Sequence, residues 1–561
     1  MTAGRWWPVF GSLAGYQRGW LRPDLMAGVT VWAVLVPEAL AYAGIAGVDP
    51  VVGLYAAVPA LLLYAAFGSS RHLVVGPMSA TAALSAAIVA PIAGGDPARY
   101  LALTAALALA TGAVAVSAGL ARLGFVAAFI SEPVLKGFIV GLALTILIGQ
   151  VPALLGIDGG HGNFFEKAVA VLGDLGELHA ATAVLGGLGL AAVLALRRWL
   201  PRVPGSLLVV LAGIAAATWL GLPERGVEVV GHIAPGLPAP GLPPGLSAHD
   251  YLELLGPALG VVLIGFAEGL GAAKTYAARN GYRVDSNAEL TGLGAANLGT
   301  GFCSGMVVNG SLSKTAVNGS AGARSQVSGL VVAGLTVLTL LFLTGLFENL
   351  PEAVLAAVVI AAVLELIDFP SLAGFYRIWT RRLGALYGPA ARVDFLAAAA
   401  ALAGVLIFDT LPGLLIGVGV SVLLLLYRAS RPHVATLADH GDLWLDRARH
   451  PELPAPADAV VVRVEAGLFF ANADWVADHV RALVTDRTRV VVLDAETSPF
   501  IDVTAARMLA GLSASLRTDG IALRVARNIG QTRDVLRRLA DQGVEIPVYP
   551  TVREALADHE E

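Results

Sequence analysis

Two glutamates lie inside long hydrophobic stretches of this 561-residue chain, and each belongs to one copy of a repeated pattern. Glu38 falls in the string PEALAYA, and Glu268 falls in the string AEGLGAA. A carboxylate inside a bilayer is costly, so an intramembrane acid marks an ion pathway or a substrate site by default. Two such acids at corresponding points of two halves predict a secondary transporter that is built from an internal repeat.

A second pair of matching strings follows the two acids and predicts an anion site. GPMSAT begins at Gly76 and GSLSKT begins at Gly310, and each opens a short segment rich in Ser, Thr or Ala. We expect Pro77 to occupy a first helical position and Ser311 or Ser313 to cap the second helix. Helix N-termini present free N–H groups and a partial positive charge, which together favour anions. Inverted repeats would point the two N-termini toward each other in mid-membrane.

Several side chains near these strings have more than one interpretation. Glu38 either hydrogen-bonds within the helix bundle or faces a water-filled cavity, where it helps to bind the substrate or a coupling cation. Tyr42 lies one turn further on the same face. Glu268 has no cation within one turn, so it is a proton carrier, a neutral structural acid or a sodium ligand. Lys314 either attracts an anion or pairs with Glu268 or Glu38.

The composition excludes several classes of protein. Hydrophobic residues make up 56% of the chain and charged residues only 14%, whereas soluble domains carry about 25% charged residues. The chain therefore belongs in a lipid bilayer. A net charge of −5 gives no basic excess for binding nucleic acid. The single cysteine, Cys303, excludes an internal disulfide. The sequence contains no nucleotide-binding loop, nucleophile–base pair or metal cluster, so we expect no enzymatic activity, cofactor or bound metal.

Fourteen segments between residues 24 and 429 are suited to the membrane, seven in each half. We place them near residues 24–46, 50–68, 76–93, 99–120, 124–149, 178–199 and 205–221, and then near 251–275, 286–306, 309–322, 325–347, 352–368, 391–409 and 411–429. The first repeat covers about 24–221 and the second about 251–431, with a Pro- and Gly-rich stretch between them. Because seven spans is an odd number, the second repeat is inverted in the membrane relative to the first.

Basic residues divide unequally between the loops on the two sides of the membrane. Loops on one side hold most of them, including Arg71, whereas the opposite loops hold only Arg99, Lys167 and Arg225. The positive-inside rule then places both chain termini in the cytoplasm. Residues 1–23 interleave tryptophan with arginine, which predicts an interfacial segment ahead of the first span.

The composition changes sharply near Arg431, and residues 432–561 are rich in charge. Apolar runs predict strands at Ala459–Val464, Arg489–Leu493 and Ile521–Val525, and helical periodicity predicts helices at Asp474–Val484, Val503–Leu516 and Gln531–Leu539. Asp502 stands where an N-cap is expected. This alternation predicts a small soluble α/β domain of about 130 residues.

These strings resemble the SulP family of anion transporters, also called SLC26, over almost the whole chain. PEALAYAGIAGVDPVVGLYAA is similar to the family's first-span signature, and the stretch from Asn287 to Leu330 is similar to its signature over the ninth and tenth spans. The C-terminal part resembles a STAS domain, with LFFANADWVADHV and VVLDAETSPFIDVTAARML in the expected places.

The resemblance implies a polytopic α-helical membrane protein with fourteen spans in a seven-plus-seven inverted repeat. It further implies core and gate domains, an elevator-type movement, a homodimer and a cytoplasmic STAS domain. Many family members carry glutamine in place of Glu38 and arginine in place of Lys314. Glu268 matches the acid of proton-coupled members. The positions that match the family's anion site are Glu38, Tyr42, Met78, Ser79, Ser311, Leu312, Ser313 and Lys314.

We therefore expect a multi-pass transporter of the bacterial cytoplasmic membrane that moves a small inorganic or organic anion together with a coupling ion. Proton-coupled sulfate symport is the leading interpretation. Sodium-coupled bicarbonate symport, proton-coupled C4-dicarboxylate transport, and an uncoupled exchanger or channel stay open. A membrane-tethered signalling protein with the STAS domain as its output is a further alternative.

Overall fold

A computed structural model describes most of the chain. It covers residues 9–13, 15–125, 131–160, 162–200, 204–233, 235–364, 367–368, 370, 373–374, 376, 393–408, 410–441, 443–454, 456–527, 530–540 and 546–557. The first eight residues of the predicted interfacial segment therefore lie outside the described residues. The described residues form two compact units. The helical unit contains those up to Tyr376 and those from Asp394 to Gly419, and the C-terminal unit contains Val393 and those from Val420 onward.

Each of the fourteen predicted segments corresponds to a helix among the described residues. Those of the first half are α1 Leu21–Ile45, α2 Pro50–Phe67, α3 Ser79–Ala93, α4 Pro97–Leu120, α5 Glu132–Leu155, α7 Ala180–Trp199 and α8 Gly205–Leu220. Those of the second half are α9 Ala248–Asn280, α10 Ser286–Phe302, α11 Leu312–Ser320, α12 Val327–Leu338, α13 Glu352–Leu364, Val393–Phe408 and Thr410–Ser430. Among the described residues, seven helices are long and apolar enough to cross a membrane. The sequence does not predict the amphipathic helix α6, Phe164–Asp174.

Local signals explain where several of these helices begin and end. The side chain of Asp96 accepts hydrogen bonds from two backbone N–H groups in the first turn of α4. Ser247 and Asp250 form a reciprocal capping box at the start of α9, and Gly281 ends that helix in a left-handed conformation, φ +68°. The segment predicted as a single span at 325–347 is a broken helix, because α12 continues as a π-helical turn and then a 3₁₀ turn.

Helices of the two repeats pack against each other without intervening side chains at several points. A Cβ atom on Gly112 of α4 would lie 2.5 Å from the backbone N of Leu298 in α10. A Cβ atom on Gly294 of α10 would lie 2.7 Å from the backbone N of Val116 in α4. Glycine permits this approach because it has no side chain, as is common where helices meet in membranes. One helix from each repeat thus contributes to a shared, closely packed core.

The C-terminal unit contains a six-stranded sheet in the order β4-β3-β5-β6-β7-β8. Its strands are β3 Val434–His440, β4 Leu443–Asp446, β5 Ala459–Val464, β6 Val490–Asp494, β7 Ala522–Ala526 and β8 Val548–Tyr549. Helices Ala473–Leu483, Val503–Thr518, Gly530–Ala540 and Val552–Ala557 complete the unit. The three predicted strands are the parallel centre β5–β6–β7, and the three predicted helices are confirmed. The sequence does not predict β3, β4, β8 or the last helix. β4, β8 and the last helix are short, whereas β3 is a seven-residue strand between β4 and β5.

Candidate functional site

A two-stranded ribbon joins the two repeats where the matching strings occur. Its strands are β1, Val74–Gly76, and β2, Asn309–Ser311, and they pair antiparallel with Val75 opposite Gly310. α3 follows β1 and α11 directly follows β2. The first turns of these two short helices therefore come from opposite strands of one ribbon, as an inverted repeat requires.

The starts of the two helices differ in how they are capped. α3 begins at Ser79, and its N-cap residue is Met78, in extended conformation and without a side-chain hydrogen bond. The prediction that Pro77 occupies the first helical position is wrong, because the extended Met78 separates Pro77 from the helix. At α11 the predicted cap is present: Ser311 Oγ accepts a hydrogen bond from the backbone N–H of Lys314 at 3.2 Å. Ser313 does not cap the helix, but its hydroxyl hydrogen-bonds Ser311 Oγ at 3.1 Å.

Lys314 lies in the first turn of α11 with its side chain directed at the first repeat. Only 1% of the residue is exposed. Its Nζ lies 2.9 Å from Oε2 of Glu38 and donates a hydrogen bond to the carbonyl oxygen of Pro77 at 3.0 Å. The ammonium also lies 5.0 Å from the centre of the Tyr42 ring, within the range of a cation–π contact. Of the interpretations left open by the sequence, the ion pair with Glu38 is therefore the one present in this conformation.

Glu38 and Tyr42 occupy one face of α1, directly after a proline within the helix. Both are buried, with 3% of Glu38 and 5% of Tyr42 exposed. Oε2 of Glu38 receives no hydrogen bond from a described residue, so its contact with Lys314 is an ion pair rather than an aligned hydrogen bond. In this conformation Glu38 is therefore buried beside a cation.

Glu268 takes a different position from Glu38. It lies on α9, is partly exposed, and makes no hydrogen bond or ion pair with any residue that the structure describes. The neighbouring glycines place α9 against the ribbon, because a Cβ atom on Gly265 would lie 3.1 Å from Cγ of Asn309 and one on Gly269 would lie 3.3 Å from its Oδ1. Glu268 is thus next to the ribbon, close enough for the charge of Lys314 to act on it, while the salt bridge of Lys314 is with Glu38.

The remaining residues of the predicted site divide into a buried half and an open half. Met78 and Ser79, at the start of α3, are 8% and 5% exposed. Leu312 and Ser313, at the start of α11, are exposed. An anion that approaches the two helix starts would therefore first meet Leu312 and the hydroxyl of Ser313.

A third buried acid, Glu289 in the first turn of α10, lies outside the predicted site. It is fully buried and receives four hydrogen bonds of 2.7–2.8 Å, from Tyr64 Oη, from the N–H and hydroxyl of Ser69, and from the N–H of Ser70. The same rule that singles out Glu38 and Glu268, an acid in an apolar stretch, could have found it. Because Glu289 accepts four hydrogen bonds, three of them from Ser69 and Ser70, it holds the chain in place where it leaves α2.

Two other polar side chains support the second half of the ribbon region. Asn297 of α10 hydrogen-bonds both the N–H and the carbonyl of Val308, at 3.0 Å each. Asp24, fully buried at the start of α1, accepts hydrogen bonds from the N–H groups of Arg324 and Ser325 and from the Ser325 hydroxyl. Neither residue stands out in the sequence, since its role depends on a distant backbone segment.

The arrangement has the chemistry to bind a small anion. Two helix N-termini, the hydroxyls of Ser311 and Ser313 and one ammonium group converge on the ribbon, and each of these groups favours negative charge. Among the described residues, no group of three or more His, Cys, Asp or Glu side chains could hold a metal ion.

Comparison with known proteins connects this arrangement with anion transport. Residues 21–386 match the model of the sulfate permease family, and residues 450–555 match the model of the STAS domain. A probable sulfate transporter of Mycobacterium tuberculosis is 37% identical over 563 residues, which covers 99% of this chain and 98% of that protein. A probable sulfate transporter of Arabidopsis thaliana is 30% identical over 96% of this chain and 80% of its own length.

Solved structures share the fold. The murine solute carrier 26 family member A9 anion transporter, in its inward-facing state, superposes with a TM-score of 0.88 at 22% identity, covering 98% of this chain and 94% of that one. The transmembrane domain of the cyanobacterial bicarbonate transporter BicA gives a TM-score of 0.60 at 23% identity over 72% of this chain. The chain therefore belongs to the sulfate permease family, also called SulP or SLC26, and is a multi-pass membrane anion transporter with fourteen spans in an inverted repeat and a C-terminal STAS domain.

Proposed function

We propose that this chain is a proton-coupled sulfate symporter that works by an elevator-type alternating-access mechanism. The observation that carries the proposal is the reach of Lys314 from the start of α11 to the carbonyl of Pro77, just before α3. This contact gathers a full positive charge and two helix N-termini, one from each repeat, at a single place. The relatives named as sulfate transporters make sulfate the first substrate to test.

The anion would bind at the starts of α3 and α11. The exposed Ser313 hydroxyl and the helix N–H groups would donate hydrogen bonds to sulfate oxygens, and Leu312 would form an apolar wall beside them. Ser79 and Met78 would close the site from the first repeat. Lys314 supplies a point charge rather than the planar fork of an arginine, which suits a tetrahedral oxyanion at least as well as a planar carboxylate.

Glu38 would act as an internal counter-ion for Lys314. An anion that enters the site must compete with a carboxylate that already lies 2.9 Å from the ammonium. If Glu38 takes up a proton, that competition ends and Lys314 becomes available to the substrate. Protonation of Glu38 would therefore favour anion binding, which places Glu38 in both the substrate site and the coupling pathway.

Glu268 would be the main proton carrier. It lies beside the ribbon and makes no bond with a described residue, so it can gain or lose a proton without breaking an ion pair. A neutral side chain is cheaper to move through the hydrocarbon core than a charged one. Protonation of Glu268 would lower the cost of moving the loaded core domain.

The rest of the proposed arrangement follows from the sequence and the family. The sequence predicts an interfacial segment over residues 1–23, a transport domain over residues 24–431 and a STAS domain over residues 432–561, and α1 already begins at Leu21. The protein is a homodimer in the bacterial cytoplasmic membrane, with both termini in the cytoplasm. The distribution of basic residues supports this orientation.

The test is uptake of radiolabelled sulfate into proteoliposomes that contain the full chain, with an inward proton gradient and with sodium present or absent. Glu268→Gln is compared with the wild type and with Glu253→Gln, which changes an exposed glutamate on the same helix. We expect sodium-independent uptake that the proton gradient drives, that Glu268→Gln abolishes and that Glu253→Gln leaves intact.

Other outcomes identify the alternatives. Uptake of bicarbonate that needs sodium, without sulfate uptake, would replace the proposal with sodium–bicarbonate symport. Gradient-driven uptake of fumarate instead of sulfate would keep the coupling and change the substrate class. Sulfate flux that needs neither the proton gradient nor sodium would indicate an exchanger or a channel.

A further inference from the structure

A small cavity lies between α4, α9, α10 and the strand β2, next to the candidate anion site. Its volume is about 20 Å³, slightly more than the roughly 10–15 Å³ that a single water molecule requires. Apolar side chains, among them Phe266 and Leu293, form most of its wall. Three polar residues, Thr111 of α4, Asn297 of α10 and Asn309 of β2, line the cavity and distinguish it from an ordinary packing defect.

The amide of Asn297 is fully hydrogen-bonded to the backbone of Leu293 and Val308, whereas Thr111 and Asn309 are buried and each has an atom that bonds no described residue. Thr111 is 3% exposed, and its Oγ1 bonds no described residue. Asn309 is 1% exposed, and the same is true of its Nδ2. Thr104, two turns earlier on α4, shows the usual alternative, because its hydroxyl donates to the carbonyl oxygen of Tyr100 at 2.9 Å. A buried polar atom without a partner costs about 1–3 kcal/mol, so two at one cavity indicate a ligand.

We propose that this cavity binds an ordered water molecule that bridges Thr111 Oγ1 and Asn309 Nδ2. Water can accept a hydrogen bond from the amide and exchange one with the hydroxyl at the same time. The cavity is too small for an oxyanion, and none of its lining residues is basic, so an anion would be buried there without a counter-charge. An apolar molecule would leave both polar atoms unpaired.

The bridging water completes a set of tethers that hold β2 in place. Asn297 holds the backbone of Val308, and the water would hold the next residue, Asn309, to α4. Gly310 follows immediately, and after it comes Ser311, which caps α11. Thr111 is therefore a positioning residue: it acts on the anion site through the water and Asn309, and it does not touch the anion.

A structure of the full chain, determined at a resolution that shows other buried waters, tests the site directly. We expect density for one water between Thr111 and Asn309 in the wild type and its loss in Thr111→Val. Thr111→Ser should keep it. Thr104→Val is the matched control, because its hydroxyl bonds its own helix, and it should leave the water in place. A cavity without density in the wild-type map, or density that persists in Thr111→Val, would overturn the proposal.

Transport kinetics test the positioning role, and only this part rests on the proposed sulfate transport. We expect Thr111→Val to raise KM for sulfate about fivefold, the effect of losing one hydrogen bond of ~1 kcal/mol, with the maximal rate nearly unchanged. Thr111→Ser should restore KM. A fall in maximal rate with an unchanged KM, or no rescue by serine, would contradict positioning. If the wild type transports no sulfate, the proposed function is wrong. The density between Thr111 and Asn309 then still shows whether the water is bound.

Discussion

Replacement of Lys314 by methionine should expose how much the internal ion pair contributes to this fold. Lys314 is 1% exposed and Glu38 is 3% exposed, so Lys314→Met leaves a buried carboxylate beside an apolar side chain. Methionine keeps a similar length and volume, which limits any cavity. The variant therefore tests the missing charge rather than altered packing.

The magnitude follows from the burial of both partners. Removal of one member of a buried ion pair costs about 3–5 kcal/mol, because the remaining charge is uncompensated. The same reasoning applies to Glu38→Gln, which leaves the ammonium without its carboxylate. The double variant carries no buried charge here and should lose only the contacts of Lys314 with Pro77 and Tyr42, together about 1–2 kcal/mol. The two substitutions should thus be strongly non-additive.

The assay is unfolding of the purified full chain in mixed micelles with increasing sodium dodecyl sulfate, followed by the fluorescence of its nine tryptophans. Lys274→Met, which changes an exposed lysine on α9, is the control and should shift the free energy of unfolding by less than about 0.5 kcal/mol. A double variant no more stable than Lys314→Met alone would refute the reasoning, since Glu38 would then not be the uncompensated charge.

Two further predictions concern stability away from the ion pair. Glu289→Ala should lower the free energy of unfolding by about 3–5 kcal/mol in the same micelle assay, because it leaves the N–H groups of Ser69 and Ser70 and the Tyr64 hydroxyl without their acceptor; a change under about 1 kcal/mol would show that water replaces the carboxylate. Asp502→Ala should lower the thermal midpoint of the C-terminal unit by about 3–5 °C, since it removes a helix cap worth ~1 kcal/mol from a unit of this size. Asp502→Asn keeps an acceptor and should melt near the wild type.

The parts of the structure that depend on local sequence could be predicted. Helix positions follow from apolar length, and the caps at Ser311 and Asp502 follow from residue type and place. The two short helices of the site follow from the duplicated strings. The ion pair of Lys314 could be reduced to two candidate partners, but choosing between Glu38 and Glu268 requires the packing of α1 and α9 around the ribbon.

Other features depend on contacts between distant segments and have no local signal. The strands β1 and β2 are three residues long, too short to show an alternating pattern. Proline is common at a helix start, which predicts that position for Pro77. Instead, β1 pairs up to Gly76, Met78 is extended, and the helix begins only at Ser79. Asp24 accepts hydrogen bonds from Arg324 and Ser325, about 300 residues further along the chain. No spacing in the sequence could predict so distant a contact.

The two repeats are alike in outline and unequal in charge, and this inequality is the basis for a prediction about the proposed symport. The strings GPMSAT and GSLSKT align, but only the second contains a lysine, so the two repeats together supply one ammonium group and two carboxylates. Lys314 pairs with Glu38, and Glu268 makes no bond with a described residue. With both acids ionised the site carries one net negative charge, and sulfate adds two more. Each proton bound at an acid lowers the charge that the hydrocarbon core must accommodate. A transporter with this set of groups should therefore move sulfate far more readily with a proton than without one.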